Sequence, residues 1–141
     1  MKPEPFIIER LVNAPVEKVW KAITDKEQMK QWYFDIPEFK PEVGFEFTFD
    51  GGAEDRIYTH LCKIIEVVPN RKLKHSWRYK DYEGESFVTW ELSAEGNSTR
   101  VKLTHEGLET FPPLADFARE NFVAGWTEIV GKNIKEFVEK V

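Results

Sequence analysis

The sequence predicts an α+β fold in which one long C-terminal helix covers a face of an antiparallel sheet. Residues 116–141 carry apolar side chains three or four positions apart, the spacing of an amphipathic helix. Across residues 45–105, apolar and polar residues alternate in short runs separated by turn residues, as in strands with one buried face. No other stretch predicts a helix of comparable length, so this helix is expected to cover the sheet.

The predicted C-terminal helix has one apolar stripe and two interrupting glycines. The stripe consists of Val123, Trp126, Val130, Ile134, Phe137 and Val141. Pro112 and Pro113 precede the helix, at a position where proline is tolerated. Gly125 and Gly131 lie inside it, and each costs about 1 kcal/mol relative to alanine. We therefore expect the helix near Trp126 to approach another element closely, or to bend.

The beginning of the chain predicts a strand followed by two short helices. Phe6–Val12 is apolar and β-branched in character, which predicts a strand. Pro15 then opens a helix, in which Trp20 is expected to point inward as the anchor of the apolar face. Asp25 ends this helix and is expected to cap a second one over residues 26–32.

Further strands are predicted in the middle of the chain. They cover residues 45–49, 57–68, 73–79, 88–92 and 101–105. Asp50-Gly51-Gly52 is interpreted as the turn after the first of these runs. The alternation slips at Ile64-Ile65, which indicates a bulge or a strand covered on both faces. Together with the first strand, these runs predict a sheet of about six strands.

Length and composition indicate one soluble domain over residues 1–141. A net charge of -5 and a pI near 5.3 argue against nucleic acid or an anionic membrane as a partner. Cys62 is the single cysteine, which fits a reducing compartment. The N-terminus lacks the apolar core of a signal peptide and no run is long enough to span a bilayer, so we expect a cytoplasmic protein. Aromatic residues make up 14%, and they are expected either to line a cavity or to fill the core.

Motifs along nearly the whole chain resemble one superfamily. They are Ile8-Glu9-Arg10, Ala14-Pro15-Val16-Glu17-Lys18-Val19-Trp20, Thr24-Asp25-Lys26-Glu27 with Trp32, Glu66-Val67-Val68-Pro69, Leu73 with Trp77, the segment TRVKLTHEG at 99–107, and Gly125-Trp126. Their order resembles the START-like (SRPBCC) superfamily, and within it homologues of the C-terminal domain of the activator of the ninety-kilodalton heat-shock protein ATPase. The resemblance implies a helix-grip fold: a curved antiparallel sheet wrapped on a long C-terminal helix, two short helices after the first strand, and an apolar cavity between sheet and helix. It does not transfer a reaction, because proteins of one fold share architecture more than chemistry.

The sequence displays no active site. His60 and Cys62 share a strand face, but a metal site needs at least a third ligand, which His75 or His105 would supply only if the sheet brought them together. His105 is interpreted either as a hydrogen-bonding group at the mouth of the cavity or as a core histidine. The sequence also lacks a phosphate-binding glycine loop and a nucleophile elbow. We therefore predict no catalytic residue, no metal site and no cofactor.

Three classes of function remain open. The first is a binding module whose cavity accepts a small apolar or aromatic molecule, because such pockets are mostly apolar with a few polar groups. The residues predicted to line the cavity are Trp32, Phe47, His60, Trp77, Trp90, His105 and Trp126. The second class, implied by the resemblance, is a chaperone-interacting module of the stress response. The third, a cyclase- or hydrolase-like enzyme, requires a polar group with a shifted pKa inside the cavity.

Overall fold

Six strands, three helical regions and a 3₁₀ turn (Leu108–Thr110) are found in the computed structural model, which describes residues 4–53, 56–114 and 117–140. The strands are β1 (Phe6–Val12), β2 (Glu46–Ala53), β3 (Arg56–Val68), β4 (Lys72–Tyr79), β5 (Ser86–Glu95) and β6 (Ser98–Glu106). Helices α1 (Val16–Thr24) and α2 (Lys26–Trp32) lie between β1 and β2, and a helix from Arg119 to Val138 ends the described chain. The predicted α+β class and element order are confirmed. None of these described helices is both long and apolar enough to cross a membrane.

The strands form one antiparallel sheet in the order β1-β6-β5-β4-β3-β2. The first strand of the chain pairs with the last, with Ile8 opposite Leu103. Alternate residues of β6 are buried, from Thr99 to His105, because successive side chains of a strand point to opposite faces. The C-terminal helix packs on the buried face, and this is the helix-grip arrangement that the resemblance implies.

The strand β2 is longer than predicted, because it continues through the two glycines interpreted as a turn. Gly51 pairs with Tyr58, and Gly52 pairs with Ile57. A Cβ atom on Gly51 would lie 3.1 Å from ring atoms of both His60 and Phe34. The glycine is therefore needed for the close approach of two aromatic rings to the strand, and not for a turn.

The predicted irregularity in β3 is confirmed as a register shift. The pairing of β3 with β4 shifts by one residue between Ile64 and Glu66, which is the signature of a bulge. Just before the shift, the backbone N–H of Lys63 donates to the hydroxyl of Ser76 at 3.0 Å.

A π-helical turn divides the C-terminal helix and determines which residues it buries. The α-helical segment Arg119–Glu128 leads into the π segment Ile129–Asn133, and α-helix resumes over Ile134–Val138. The buried positions are Phe122, Trp126, Val130, Ile134 and Val138, each four residues after the last. In a regular α-helix such positions drift by about 40° per step, but a π turn advances less per residue and brings the later positions back to the same face.

This helix corrects two details of the prediction, and a third lies outside the described residues. Val123 and Phe137 belong to the predicted stripe but are only half-buried. Val123 lies before the π turn, where Phe122 takes the buried position four residues ahead of Trp126, and after the turn Ile134 and Val138 take the buried positions in place of Phe137. Val141 and the predicted start at residue 116 lie outside the described residues. Gly125 does not bring the backbone close to another element, since a Cβ atom there would meet nothing within 4 Å.

The two short helices are fixed to each other and to the core. The carboxylate of Asp25 accepts a hydrogen bond from the N–H of Glu27 at 3.0 Å, which confirms the predicted cap. The indole N–H of Trp32 donates to the carbonyl of Ala22 at 2.9 Å and joins α2 to α1. Trp20 is half-buried and not the anchor of α1. The helix instead buries Val19, Ala22 and Ile23.

Candidate functional site

The space between the sheet and the C-terminal helix is lined by aromatic side chains from nearly every element. All seven residues predicted to line a cavity are buried there, with exposures between 0% and 6%: Trp32, Phe47, His60, Trp77, Trp90, His105 and Trp126. Trp126 of the helix lies 5.6 Å from the ring of Trp77 and 6.0 Å from that of Trp90. Trp32 reaches the same group through Trp90, at 6.0 Å. The residues thus form one cluster, and their role as the wall of a ligand site stays a prediction.

His105 lies deep inside this cluster and not at a rim. Its side chain is 0% exposed. The indole N–H of Trp126 donates to Nδ1 of His105 at 2.9 Å, and Nε2 lies 2.7 Å from the hydroxyl of Ser86. That hydroxyl donates to the carbonyl of Trp77 at 2.8 Å. Burial, with a smaller contribution from His75, lowers the pKa of His105 to about 3, so the ring is neutral at pH 7.

The other two histidines are also buried and neutral. Nδ1 of His60 donates to the carbonyls of Phe49 and Tyr58, at 3.3 and 3.0 Å. Nδ1 of His75 donates to the carbonyl of Ser76 at 2.9 Å. Burial lowers the pKa of each to about 4. Within the described ranges, no group of three His, Cys, Asp or Glu side chains is placed to hold a metal ion.

A loop inserts two further aromatic side chains between the sheet and the helix, and neither is among the residues predicted to line the cavity. Residues 33–45, between α2 and β2, form neither helix nor strand. Tyr33 stacks on Trp126 at 6.2 Å and 23°, and Phe34 stacks on Phe49 at 4.5 Å and 29°. The run Trp32-Tyr33-Phe34 was visible in the sequence, but no periodicity showed which way residues outside a helix or strand would point.

Tyr33 differs from its neighbours in one respect. Its hydroxyl is buried and has no hydrogen-bond partner among the described residues. Burial raises the pKa of this phenol well above its usual value, with smaller contributions from Cys62 and Tyr79. An unpaired buried hydroxyl destabilises a folded structure by about 1–3 kcal/mol.

The cavity found inside the aromatic cluster is small. A cavity of about 10 Å³ lies inside the cluster, with room for about one water molecule. Its lining residues are Ile23, Met29, Trp32, Tyr33, Phe39, Phe47, Leu73, His75 and Trp90. A larger hollow of about 380 Å³ opens on the outer face of the sheet. Charged residues of both signs line that hollow, among them Glu46, Lys63, Arg78 and Glu85, so it lacks the apolar walls of a typical ligand pocket.

Comparisons with known proteins agree with this architecture. A family model described as "Activator of Hsp90 ATPase homolog 1-like protein" matches residues 13–139. Among solved structures, a protein from Chromobacterium violaceum aligns over 99% of both chains, with a TM-score of 0.84 and 20% identity. CalU16 from Micromonospora echinospora aligns over 96% of this chain and 74% of its own, with a TM-score of 0.73 and 27% identity. DynU16, from the dynemicin biosynthetic locus, aligns over 98% of this chain but only 48% of its own, with a TM-score of 0.79 and 22% identity. A comparison with curated proteins gave no match.

Proposed function

The chain belongs to the family of Activator of Hsp90 ATPase homolog 1-like proteins, and we propose that it is a binding module for a small apolar or aromatic molecule. The molecule would be held between the sheet and the C-terminal helix. The observation that carries this proposal is that some of the aromatic rings in that space belong to the loop of residues 33–45, and not to the sheet or the helix. Loops are the more mobile parts of a fold and often carry binding residues.

The loop of residues 33–45 is held at both ends. The N–H of Tyr33 donates to the carbonyl of Met29 at 2.7 Å. At the other end, the N–H of Gly44 donates to the carbonyl of Ile64 at 2.8 Å, and the N–H of Ile64 donates to the carbonyl of Phe45 at 2.9 Å. Irregular loops of this length in compact domains are often functional. Between these ends, side chains hold the loop to the rest of the fold: Ile36 is buried, and Lys26 donates to the carbonyl of Pro37 at 3.1 Å. The side chains of the loop can therefore move without unpairing a strand or unwinding a helix.

A ligand requires that movement. Ligand pockets usually measure about 300–1,000 Å³, whereas the interior cavity measures about 10 Å³. Withdrawal of the loop rings would open space bounded by Trp90, Trp126 and Phe47. The walls would be uncharged at neutral pH, since burial keeps the nearby histidines neutral. Such a space suits an uncharged apolar or aromatic molecule.

Fluorescence titration tests the proposal. N-phenyl-naphthylamine, an uncharged apolar probe, is expected to bind the protein saturably and to quench tryptophan emission. Trp126→Phe should reduce the quenching, because it removes an indole from the proposed wall. Tyr82→Ala is the matched control, since Tyr82 is 39% exposed and contacts Tyr58 and Phe117. A folded protein that binds no apolar probe saturably would contradict the proposal.

The family description also favours a second candidate, an interaction with a chaperone. In that case the surface of the domain, and not its interior, would carry the function. A pull-down with the ninety-kilodalton chaperone from the same cells tests this candidate. Chaperone capture that survives Tyr33→Ala, together with no probe binding, would place the interaction module ahead of the ligand module. An enzyme is less favoured, because both ring nitrogens of His105 already contact protein groups.

A further inference from the structure

The Tyr33 ring stands where sheet, helix and loop meet. Its centroid lies 6.2 Å from that of Trp126 on the helix, and 6.3 Å from those of Trp90 on β5 and Phe49 on β2. The orientations differ: it is nearly parallel to Trp126, at 23°, and nearly perpendicular to Trp90, at 88°. Stacked and edge-on contacts of this kind are favourable for any aromatic ring. The surroundings therefore recognise a flat ring, whichever molecule supplies it.

The hydroxyl of Tyr33 gains nothing from this position. Neighbouring buried polar groups are paired: the indole N–H of Trp77 donates to the hydroxyl of Tyr79 at 3.0 Å, and that of Trp126 donates to His105. The buried hydroxyl of Tyr33 finds no such partner among the described residues. The ring is favoured where it lies, and the hydroxyl is not.

We propose that the space filled by the Tyr33 ring is the ligand's ring subsite, and that Tyr33 is a plug which the ligand displaces. The inference rests on the proposed function and names the place and the chemistry of binding. Tyr33 follows the last residue of α2 and belongs to the loop of residues 33–45, so its ring can leave by rotation of the side chain while its N–H stays bonded to the carbonyl of Met29. Phe34, which packs over Gly51, would move with it.

The unpaired hydroxyl also indicates the kind of ring. The subsite offers stacking partners but no described group that pairs with a hydroxyl at that point. A ring with no polar substituent there binds without leaving a buried group unpaired, whereas a phenol loses its hydrogen bonds to water. The subsite therefore takes the hydrocarbon end of an aromatic ligand. Any polar groups of that ligand lie elsewhere.

Chemical rescue of Tyr33→Ala tests the subsite. This variant should melt at a lower temperature than the parent, and toluene, which matches the missing ring without its hydroxyl, should restore part of the loss. The p-cresol molecule, which reproduces the whole tyrosine side chain, should bind about fivefold more weakly than toluene, because its hydroxyl is again unpaired. Neither compound should raise the melting temperature of the parent, in which the plug fills the subsite. Rescue by neither ring, or tighter binding of p-cresol, would overturn the proposal.

Tyr33→Phe tests the plug and does not depend on whether the alanine variant folds. It keeps the ring and removes the unpaired hydroxyl, so the closed form should become more stable and the melting temperature should rise. N-phenyl-naphthylamine must then displace a better plug, and its binding should weaken about fivefold. In Tyr33→Ala the probe should bind at least about tenfold more tightly than in the parent. Unchanged stability and unchanged affinity in Tyr33→Phe would show that the hydroxyl is satisfied and the plug does not exist.

These experiments separate the two proposals. Rescue of Tyr33→Ala by toluene is measured without any larger ligand, so it can succeed when the parent binds no probe. Conversely, saturable probe binding that is unaffected by both Tyr33 variants would support a ligand site and reject this subsite.

Discussion

Trp126 donates its indole N–H to Nδ1 of His105 across 2.9 Å, between the C-terminal helix and the last strand. An indole nitrogen only donates, so Nδ1 must be the unprotonated nitrogen of the imidazole. The proton of the neutral ring is then on Nε2, which donates to the hydroxyl of Ser86, and this hydroxyl donates to the carbonyl of Trp77. Each donor in the chain meets an acceptor, which accounts for a fully buried histidine at the centre of an aromatic core.

The first prediction concerns the tautomer of His105. A long-range proton–nitrogen NMR spectrum should show protonation on Nε2 alone between about pH 5 and 8, because the folded-state pKa is about 3. Trp126→Phe removes the donor to Nδ1 and should cost about 1–3 kcal/mol of unfolding free energy through the unpaired acceptor, in addition to lost packing. A proton on Nδ1 in the parent protein would contradict this arrangement.

The second prediction compares two tryptophans. Trp90 is 2% exposed, and Trp90→Ala should cost about 3–5 kcal/mol, the usual range for a buried large aromatic side chain. Trp20 is only half-buried, so Trp20→Ala should cost about 1–2 kcal/mol, in proportion to the smaller area it buries. Urea denaturation of both variants measures the difference. Equal losses would show that Trp20 is the anchor the sequence indicated.

The fold was predictable because most of its elements have a regular period. Apolar and polar residues alternate along β6, which predicted that Val101, Leu103 and His105 share one face, and all three are buried. Asp25 before a short polar and apolar run predicted a cap, and the cap is present. The doubled isoleucine at Ile64-Ile65 indicated the bulge that shifts the register of β3.

The remaining details depend on contacts that no local pattern encodes. The π turn over Ile129–Asn133 keeps Ile134 and Val138 on the buried face of the helix, and before the turn Phe122 is buried in place of Val123. Gly51 looks like a turn residue, but its role is set by the ring of Phe34, seventeen positions earlier in the chain. Tyr33 belongs to neither a helix nor a strand, so periodicity could not show that it would stand in the centre of the predicted site.

The third prediction tests the π turn. An alanine inserted after Gly131 should put the end of the helix out of phase, because the π turn already accommodates one extra residue and a second one rotates all later residues by about 100°. Ile134 and Val138 would leave the core, where they are 0% and 1% exposed, and the loss should be several kcal/mol, about 1.5–3 for each side chain. Deleting Gly131 is the matched control: it converts the turn to regular α-helix and keeps both side chains on the buried face, so it should cost far less. If the insertion melts like the deletion, the π turn does not set the phase of the helix.

The last prediction concerns acid stability. His60 has a folded-state pKa of about 4, lowered by burial and partly offset by its bonds to the carbonyls of Phe49 and Tyr58 and by Asp50. The unfolded chain binds a proton on this residue near pH 6.5. Between about pH 6.5 and 4 the unfolded state therefore holds one more proton than the folded state, and stability falls as the pH falls.

The slope is up to about 1.4 kcal/mol per pH unit for each such histidine, and it disappears below the folded-state pKa. His60→Phe keeps a ring against Phe49 but removes a titrating group. The difference in bound protons between the unfolded and folded states should therefore fall by up to one, and the slope of unfolding free energy against pH should fall with it. Phe49→Leu is the matched control, because it weakens the same stack, whose centroids are 4.4 Å apart, without removing a titrating group. Its curve should run below that of the parent and parallel to it, whereas the curve of His60→Phe should be flatter between about pH 6 and 4.5. Parallel curves for all three proteins would mean that His60 is protonated as easily in the fold as in water.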